Sequence, residues 1–410
     1  MKHRAGILLL TALLLAGCRA NNGKEKSVTF EDDLEFLKKF KPVIVLKDET
    51  GRAQVALVAA WQGRVVTSTA DGPSGLSFGW INRDLISSGR HEEHINVFGG
   101  EDRFWLGPEG GQFSIFFAAG DPFDLEHWYV PSAIDWDPFD LVSADDRQAV
   151  FGRVMVLRNY AGTEFRLAAR REVRLLNTGA VSKIVGIDLG PELRSVGFES
   201  VNTITNTGAA EWKKETGLLS VWILGMFNPS PSTTIIVPFK AGPEPELGPA
   251  VNDAYFGKVP ADRLTVGEGV AYFKGDGMRR SKIGISPLRA KPVLGSYDAQ
   301  NKVLTLVTFT LPKGVSDYVN SMWELQDKPY GGDAVNSYND GPAEPGAKPL
   351  GPFYELETSS PAAALKPGES LTHVHRTIHL QGPEAALDRV ARAVLGVGLD
   401  DAAQAFGRGK

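Results

Sequence analysis

Short runs in which apolar and polar residues alternate recur along most of the chain. Clear examples lie at residues 149–157, 164–176 and 371–380, and a period of two is typical of half-buried β-strands. Residues 218–227 and 233–239 are almost continuously apolar, which indicates strands buried on both faces. Gly and Pro separate most of these runs and mark turns. The pattern predicts an all-β protein.

Apolar residues follow a helical period in two segments, one near each end of the chain. Residues 29–40 predict a short amphipathic helix with Thr29 as its N-cap, and residues 382–395 predict a second helix. Between them, residues 327–352 are rich in Gly, Pro, Asn and Asp and predict a long ordered loop across one end of the sheet. Asn336 in this loop is a candidate ligand contact.

The first residues resemble the leader of a bacterial lipoprotein. Lys2 and Arg4 precede an apolar run at 7–15 that is too short to span a bilayer. A Leu-Ala-Gly-Cys lipobox then ends at Cys18, the only cysteine in the chain. We expect cleavage before Cys18, diacylation of its sulfur, and export to the periplasmic face or the outer membrane. Arg19, rather than the Asp that retains some lipoproteins at the inner membrane, favours the outer membrane.

A soluble secreted protein, or a chance match to the lipobox, is the alternative to this interpretation. The predicted organisation is a signal peptide at 1–17, a lipidated tether at 18–27, a single β-domain at 28–382, and a C-terminal helix and tail at 383–410.

The charge balance limits the possible partners. The chain of 410 residues has 44 basic and 49 acidic side chains, for a formal net charge of −5. It contains no basic block, which argues against a nucleic acid partner. No phosphate-binding loop, nucleophile elbow or zincin motif occurs in it.

Residues 99–111 contain the most distinctive cluster of side chains. Strand alternation places Arg103 and Trp105 on one face, and Glu109 follows in a Gly/Pro turn. An Arg beside a Trp, closed by a carboxylate, can form a polyol-binding surface. An exposed Trp–Arg stack at a sheet edge is the alternative.

Two histidines and an asparagine precede this cluster. His94 and Asn96 lie close to it in sequence and are candidate ligand contacts. His91 and His94, three residues apart with glutamates between them, could also bind a divalent metal on a helical turn. The loop at 121–140 carries Trp128, Tyr129 and Trp136 among aspartates, and these rings either form a saccharide-stacking rim or anchor the loop.

The runs at 353–359 and 371–380 flank a Pro-Gly turn. If they pair as a hairpin, carboxylates of the first run face imidazoles of the second. The side chains on that face would be Glu355, Glu357, His373 and His375. The alternatives are an exposed polar face and a metal site on the His-x-His spacing, so no cofactor is predicted beyond a possible divalent metal.

Several of these motifs resemble an uncharacterised bacterial lipoprotein family of the DUF6786 and DUF4380 type, which is allied to the galactose mutarotase-like superfamily. The run Gly99-Gly100-Glu-Asp-Arg103-Phe-Trp105-Leu-Gly-Pro-Glu109 matches that family's early signature. Its Tyr-Glu strand is matched by residues 353–360, and its Leu-x-Pro-Gly-Glu-Ser turn by residues 365–370. The resemblance covers most of the chain and implies a large antiparallel β-supersandwich with short terminal helices.

The resemblance also implies a carbohydrate ligand. In the mutarotase superfamily a Glu takes the proton from the anomeric hydroxyl and a His protonates the ring oxygen. Here Glu355 is the expected base and His375 the expected acid, and Glu109 completes the catalytic set. Arg103 and Trp105 would hold the sugar, and Glu357 and His373 would also contact it.

The Asn-Gly-Arg-x-x-Asn-Arg and His-Pro-Phe-His patterns of true aldose epimerases are absent. The reaction is therefore open among epimerase, lyase and hydrolase types. A non-catalytic glycan-binding surface lipoprotein, which would use Trp105 and the aromatics of the 121–140 loop, is the other hypothesis.

Overall fold

Antiparallel strands make up most of the computed structural model of the protein, which describes residues 28–344 and 346–406. The leader, Cys18 and the tether lie outside the described residues. The strands are β1 Ile44–Lys47, β2 Gln54–Val58, β3 Arg64–Thr69, β4 Arg103–Gly107, β5 Asp140–Ala144, β6 Gln148–Arg158, β7 Glu164–Leu176, β8 Arg194–Asn206, β9 Ser220–Phe227, β10 Thr233–Pro238, β11 Leu264–Val266, β12 Val270–Lys274, β13 Ser281–Ile285, β14 Val293–Asp298, β15 Val303–Phe309, β16 Val335–Asn339, β17 Tyr354–Ser359 and β18 Ser370–Gln381. The helices are α1 Phe30–Lys38, α2 Arg83–Ser88, α3 Ser132–Asp135, α4 Thr178–Val185, α5 Glu244–Leu247, α6 Glu384–Val394 and α7 Leu399–Ala403.

The strands form three sheets. The largest has ten strands in the order β11-β12-β10-β14-β15-β18-β8-β7-β6-β5. A five-stranded sheet has the order β13-β16-β17-β9-β4, and β1, β2 and β3 form a small third sheet. This confirms the predicted all-β supersandwich.

One face of the five-stranded sheet packs against the ten-stranded sheet. Thr358 of β17 is in contact across this interface, because its hydroxyl lies 2.8 Å from His373 Nε2 and 2.9 Å from His375 Nδ1 of β18. Leu356 lies on the same face of β17 and is fully buried. Alternation along the strand therefore directs Glu355 and Glu357 to the opposite face.

Helices lie near both ends of the described chain. Thr29 caps α1 in a capping box with Asp32, as predicted. Leu387 and Val390 of α6 pack with Leu399 of α7 against the second face of the ten-stranded sheet. No helix among the described residues has the length and apolar content needed to cross a bilayer.

Two predictions about strands are wrong. The segment at 327–352 is not wholly a loop, because its residues Val335–Asn339 form β16 in the interior of the five-stranded sheet. Three of the five residues of β16 are polar, so the usual apolar signal is weak. The hairpin of 353–359 with 371–380 does not form, because β17 pairs with β16 and β9 while β18 pairs with β15 and β8.

Candidate functional site

The face of the five-stranded sheet that points away from the ten-stranded sheet carries a concentration of polar and aromatic side chains. Cross-strand pairing brings them together, since Asn336 is opposite Glu357 and Trp105 is opposite Trp222 in the register. Lys282 joins them from β13, opposite Tyr338. We call this surface the covered face. It consists of Arg103, Trp105, Trp222, Lys282, Asn336, Tyr338, Glu355 and Glu357.

Two segments lie over the covered face and remove it from bulk water. The segment after β4 is held to the segment before β16 by a hydrogen bond from the Glu109 amide to Ser321 Oγ at 3.1 Å. Gln112 and Gln326 are joined by hydrogen bonds at 2.8 and 2.9 Å. Glu355 on this face is only 5% exposed. The charged groups on this face therefore interact in a poorly solvated chamber, where electrostatic effects are strong.

Lys282 occupies the centre of the charges. Its ammonium lies 3.1 Å from Glu357 Oε2, which also accepts a hydrogen bond from Trp222 Nε1 at 2.9 Å. Burial by itself lowers the pKa of Lys282, but the nearby acidic groups, Glu357 first and then Glu109 and Glu355, outweigh that effect and raise it. Lys282 is thus a buried cation in direct contact with Glu357.

Two other carboxyl groups hold their protons more tightly than usual. Burial and the neighbouring Glu357 raise the pKa of Glu355 well above its ordinary value, although Lys282 and Arg103 act in the opposite direction. Burial also raises the pKa of Glu109, which accepts a hydrogen bond from the Trp323 indole. The chamber therefore combines an ion-paired carboxyl group with two carboxyl groups whose pKa values are raised, and such a difference between neighbouring acids is used in general acid–base catalysis.

Arg103 presents donors to the same chamber. Its NH2 group donates to Asp135 Oδ1 at 2.7 Å, and its guanidinium lies 4.2 Å from the centre of the Trp105 ring. Arg103 Nε, Arg103 NH1 and Trp105 Nε1 are buried and have no hydrogen-bond partner among the described residues. Because buried polar groups are normally hydrogen-bonded, these donors are suited to the oxygen atoms of a ligand.

A tyrosine completes the wall beside Lys282. The Tyr255 hydroxyl donates to Asp333 Oδ2 at 2.7 Å and accepts from Asn336 Nδ2 at 3.2 Å. Burial and the Asp333 charge raise the pKa of Tyr255 well above its ordinary value. Asn336 therefore contributes to the site from a strand rather than from a loop.

The structure brings most of the predicted site residues together. Glu109, Glu355, Glu357, Arg103, Trp105 and Asn336 all belong to the chamber or line it. Asn96 supports it from behind, because its amide side chain donates to Asp135 at 2.7 Å.

The histidines do not join this group. His373 and His375 lie between the sheets, fully buried, on the other side of β17 from Glu355. Burial lowers the pKa of His373 to about 3 and that of His375 to about 4. His375 is therefore not positioned to act as the acid opposite Glu355, and His373 is not positioned to contact a ligand on the covered face. His94 lies in the segment that precedes β4, where it stacks on Tyr129.

Sequence reasoning missed Lys282, Trp222 and Asp135. Trp222 was expected in the core and is buried, but its indole holds Glu357. Lys282 could have been found only with the pairing of β13 to β16, which the sequence pattern hides. Asp135 lies in the expected loop at 121–140, where nothing in the local pattern separates it from its neighbouring aspartates.

The residues that are present offer little to a metal ion. No group of three or more His, Cys, Asp or Glu side chains within residues 28–344 and 346–406 is arranged to hold one. Lys282 already supplies the positive charge among the carboxylates. His91 and His94 stack on different rings, Trp136 and Tyr129, and residues 91–94 form no helical turn.

The fold is a large antiparallel β-supersandwich of the galactose mutarotase-like type. Within that class, the chain belongs to the family of unknown function DUF6786, whose family model matches residues 28–406. No curated protein matches the chain significantly.

Three solved structures are similar to the chain at low sequence identity. A putative aldose 1-epimerase from Escherichia coli K12 has a TM-score of 0.52 at 12% identity, over 83% of this chain and 99% of its own. The Slr1438 protein from Synechocystis sp. PCC 6803 has a TM-score of 0.49 at 12% identity, over 84% of this chain and 96% of its own. A galactose mutarotase-like protein from Lactobacillus casei ATCC 334 has a TM-score of 0.46 at 10% identity, over 83% and 100%.

Proposed function

We propose that the covered face binds a saccharide and acts on it by carboxyl-based acid–base chemistry. The observation that carries the proposal is the pairing of Lys282 with Glu357 at 3.1 Å beside the buried carboxyl group of Glu355. Aromatic faces and unpartnered N–H donors surround these groups, and sugars present both apolar C–H faces and hydroxyl oxygens. The fold that the chain shares with a putative aldose 1-epimerase supports a carbohydrate ligand.

The geometry changes the assignment of roles that the sequence suggested. Glu357, which contacts the Lys282 ammonium and the Trp222 indole N–H, is the group that we assign as the base taking a proton from a sugar hydroxyl. Glu355 carries a proton and donates it to the oxygen whose bond to carbon breaks. The two side chains are two residues apart on one strand face, about 7 Å by strand geometry. In an isomerisation these transfers balance, because Glu357 removes the proton of the anomeric hydroxyl as the ring C–O bond breaks and Glu355 protonates the ring oxygen. A hydrolysis would instead need a water molecule as the group that Glu357 deprotonates.

Turnover by matched glutamine variants tests the proposal. We expect Glu357→Gln and Glu355→Gln to lose roughly 10²- to 10⁴-fold in kcat on any sugar that the wild type converts. Glu369→Gln, in the exposed turn before β18, is the control and should retain full activity. NMR detection of anomer exchange, epimerisation and hydrolysis in the same sample covers the possible reactions. Unchanged turnover in both chamber variants would reject the acid–base roles.

A glycan-binding protein without catalysis is the second candidate function. The chamber is tightly packed, and Tyr129 and Trp136 of the loop at 121–140 are exposed. Both observations favour this function. Calorimetry on the same panel separates the two functions, since a binder would take up sugars that it never converts.

We also propose that the protein is exported and anchored through acylated Cys18. The lipobox and the short apolar run before it support this location. Two or three acyl chains would give stable attachment, whereas a single chain gives only marginal binding.

A further inference from the structure

The chamber has no room for a sugar while its wall is closed. The cavity beside Lys282 holds about 10 Å³, whereas pockets for small ligands usually hold about 300 Å³ or more. The wall is nearest to solvent at the β13 edge of the sheet, where Lys282 and Asn336 are 7% exposed and Asp333 is 8% exposed. Arg103, in the edge strand at the other side, is completely buried. A sugar would therefore enter beside β13 and β16, after movement of the chain that covers them.

Residues 252–258 cover this edge, and we call them the lid loop. They are all half-buried or exposed, whereas Val251 before the loop and Val259 after it pack against buried apolar residues. Asn252 also pairs with Gly284 of β13 through two backbone hydrogen bonds, at 2.8 and 2.7 Å. A segment with anchored ends and few buried apolar contacts opens at a low cost in free energy. The lid loop is therefore the part of the wall that we expect to move.

The two segments that lie over the rest of the covered face are less suited to opening. Trp323 of the segment before β16 packs on Phe117 and Trp128, with ring centres 5.2 and 5.7 Å apart. Separation of these rings would expose a large apolar area to water. The outer ring of the lid loop, Phe256, is instead already 44% exposed, with the Arg280 guanidinium 3.9 Å from its centre. Lifting the lid loop therefore exposes less apolar surface.

Tyr255 fastens the lid loop from the inside. Its ring centre lies 5.4 Å from the Lys282 ammonium. Its hydroxyl donates to Asp333 Oδ2 at 2.7 Å and accepts from Asn336 Nδ2 at 3.2 Å. A sugar hydroxyl can also donate one hydrogen bond and accept another. The Tyr255 hydroxyl therefore occupies a position that a ligand hydroxyl fits.

The two partners of that hydroxyl lie outside the lid loop. Asn336 is in β16 and also donates to the Ile283 carbonyl at 3.3 Å. Gly284 of β13 lets Asp333 approach, because a Cβ at that position would overlap Asp333 Oδ2 and would lie 2.8 Å from Asn336 Nδ2. Asp333 and Asn336 thus form a cradle for one hydroxyl group, and the sheet holds Asn336 in place when the lid loop moves.

We propose that Asp333 and Asn336 form a hydroxyl-binding subsite of the chamber, which Tyr255 occupies until a saccharide displaces it and the lid loop opens. This inference rests on the proposed function, because it takes the chamber to be the saccharide site. A closed lid loop weakens the apparent affinity in proportion to the fraction of molecules that are closed. Loosening the Tyr255 contact should therefore strengthen saccharide binding.

Hydrogen exchange followed by mass spectrometry tests the lid loop without any ligand. Tyr255→Phe keeps the ring and removes both hydrogen bonds of the hydroxyl. Exchange of the Asn252 and Gly284 amides, each bonded to the carbonyl of the other residue, should become about two- to tenfold faster. Tyr160→Phe, which removes a hydroxyl bonded to the Asp121 carbonyl in another loop, should leave these amides unchanged. Equal exchange in wild type and Tyr255→Phe would overturn the fastening role of Tyr255.

Calorimetry with glucose, galactose, mannose and their β-1,4-linked disaccharides tests the displacement. Tyr255→Phe should bind a sugar about two- to tenfold more tightly than the wild type. Phe256→Ala, which weakens the outer contact with Arg280 and leaves the subsite intact, should change the affinity in the same direction. Asp333→Ala in the Tyr255→Phe background should cancel the gain, because the subsite has lost its acceptor.

The outcomes separate this inference from the proposed function. Saccharide binding that is unchanged or weaker in Tyr255→Phe would overturn the displacement and leave the proposed function standing. Failure of every saccharide to bind to any variant, with faster exchange in Tyr255→Phe, would overturn the proposed function and retain the lid loop. Thermal unfolding of each variant shows whether it is folded.

Discussion

The ammonium of Lys282 lies 3.1 Å from the carboxylate of Glu357 in a chamber from which bulk water is largely excluded. The carboxyl groups of Glu109 and Glu355 also act on this ammonium. One ammonium thus interacts with three acidic groups. The strength of each interaction affects how tightly that acidic group holds its proton. The Lys282–Glu357 pair therefore contributes both to the stability of the chamber and to its proposed chemistry.

Removal of the cation should destabilise the protein strongly. We expect Lys282→Met to lower the free energy of unfolding by about 3–5 kcal/mol, because it leaves the Glu357 carboxylate buried without its partner. Urea denaturation measures the loss. Lys214→Met, which breaks the exposed pair with Asp317, is the matched control and should cost less than about 1 kcal/mol. Equal losses in the two variants would contradict a charged Lys282–Glu357 pair.

Glu355→Gln should alter the pH dependence of stability. The pKa of Glu355 is raised above its ordinary value of 4.5 by burial and Glu357, so the native state binds its proton more tightly than the unfolded state. Wild-type stability should therefore decrease as pH rises above 4.5, until the native carboxyl ionises.

The glutamine variant lacks this penalty. Its stability advantage should be near zero at acidic pH and should grow towards neutral and alkaline pH. Chemical denaturation at a series of pH values measures the difference. A difference that does not vary with pH would show that Glu355 ionises alike in both states.

The histidines between the sheets should make the protein sensitive to acid. Burial lowers the pKa of His375 from 6.5 to about 4 and that of His373 to about 3. Their contribution is present above pH 6.5 and is lost as pH falls towards these values, because only the unfolded state takes up the protons. Each histidine should cost about 1.4 kcal/mol per pH unit in that interval.

His375→Asn should reduce this pH slope, because asparagine does not titrate in this interval. Its amide can replace the contact with Thr358. Unfolding between pH 7.5 and pH 4.5 provides the measurement. An unchanged slope would indicate that His375 takes up its proton equally well in the folded protein.

Asp135 should stabilise the site by holding Arg103. Asp135→Ala leaves a fully buried guanidinium without its partner, so we expect a loss of about 3–5 kcal/mol. Asp137→Ala, two residues further on, breaks a partly exposed pair with Arg153 and an exposed hydrogen bond from Ser132, and it should cost less than about 1 kcal/mol. Denaturation of the two variants side by side tests the difference. Comparable losses in the free energy of unfolding would show that Asp135 does not position Arg103.

The proposed membrane anchoring can be tested at Cys18. We expect Cys18→Ser to block acylation and to release any processed protein into the soluble fraction. Metabolic labelling with a radioactive fatty acid, followed by cell fractionation, measures both effects. Equal labelling of wild type and variant would reject the lipoprotein proposal.

The sequence by itself determined the fold class and several members of the site. Alternation identifies strands because successive side chains point to opposite faces, so the grouping of Arg103 with Trp105 and of Glu355 with Glu357 follows from the strand period. The N-cap of α1 at Thr29 and the amphipathic α6 are local patterns as well, and both were predicted correctly.

Only the tertiary structure decided which strands pair and which face of each strand is covered. A period of two separates the faces of β17 but does not tell which face meets the ten-stranded sheet. The sequence therefore suggested His375 as the partner of Glu355, whereas Thr358 faces His375 and Glu355 faces Lys282. Pairing of β17 with β16 and β9 depends on contacts between residues far apart in the chain, and such contacts leave no periodic signal in the sequence.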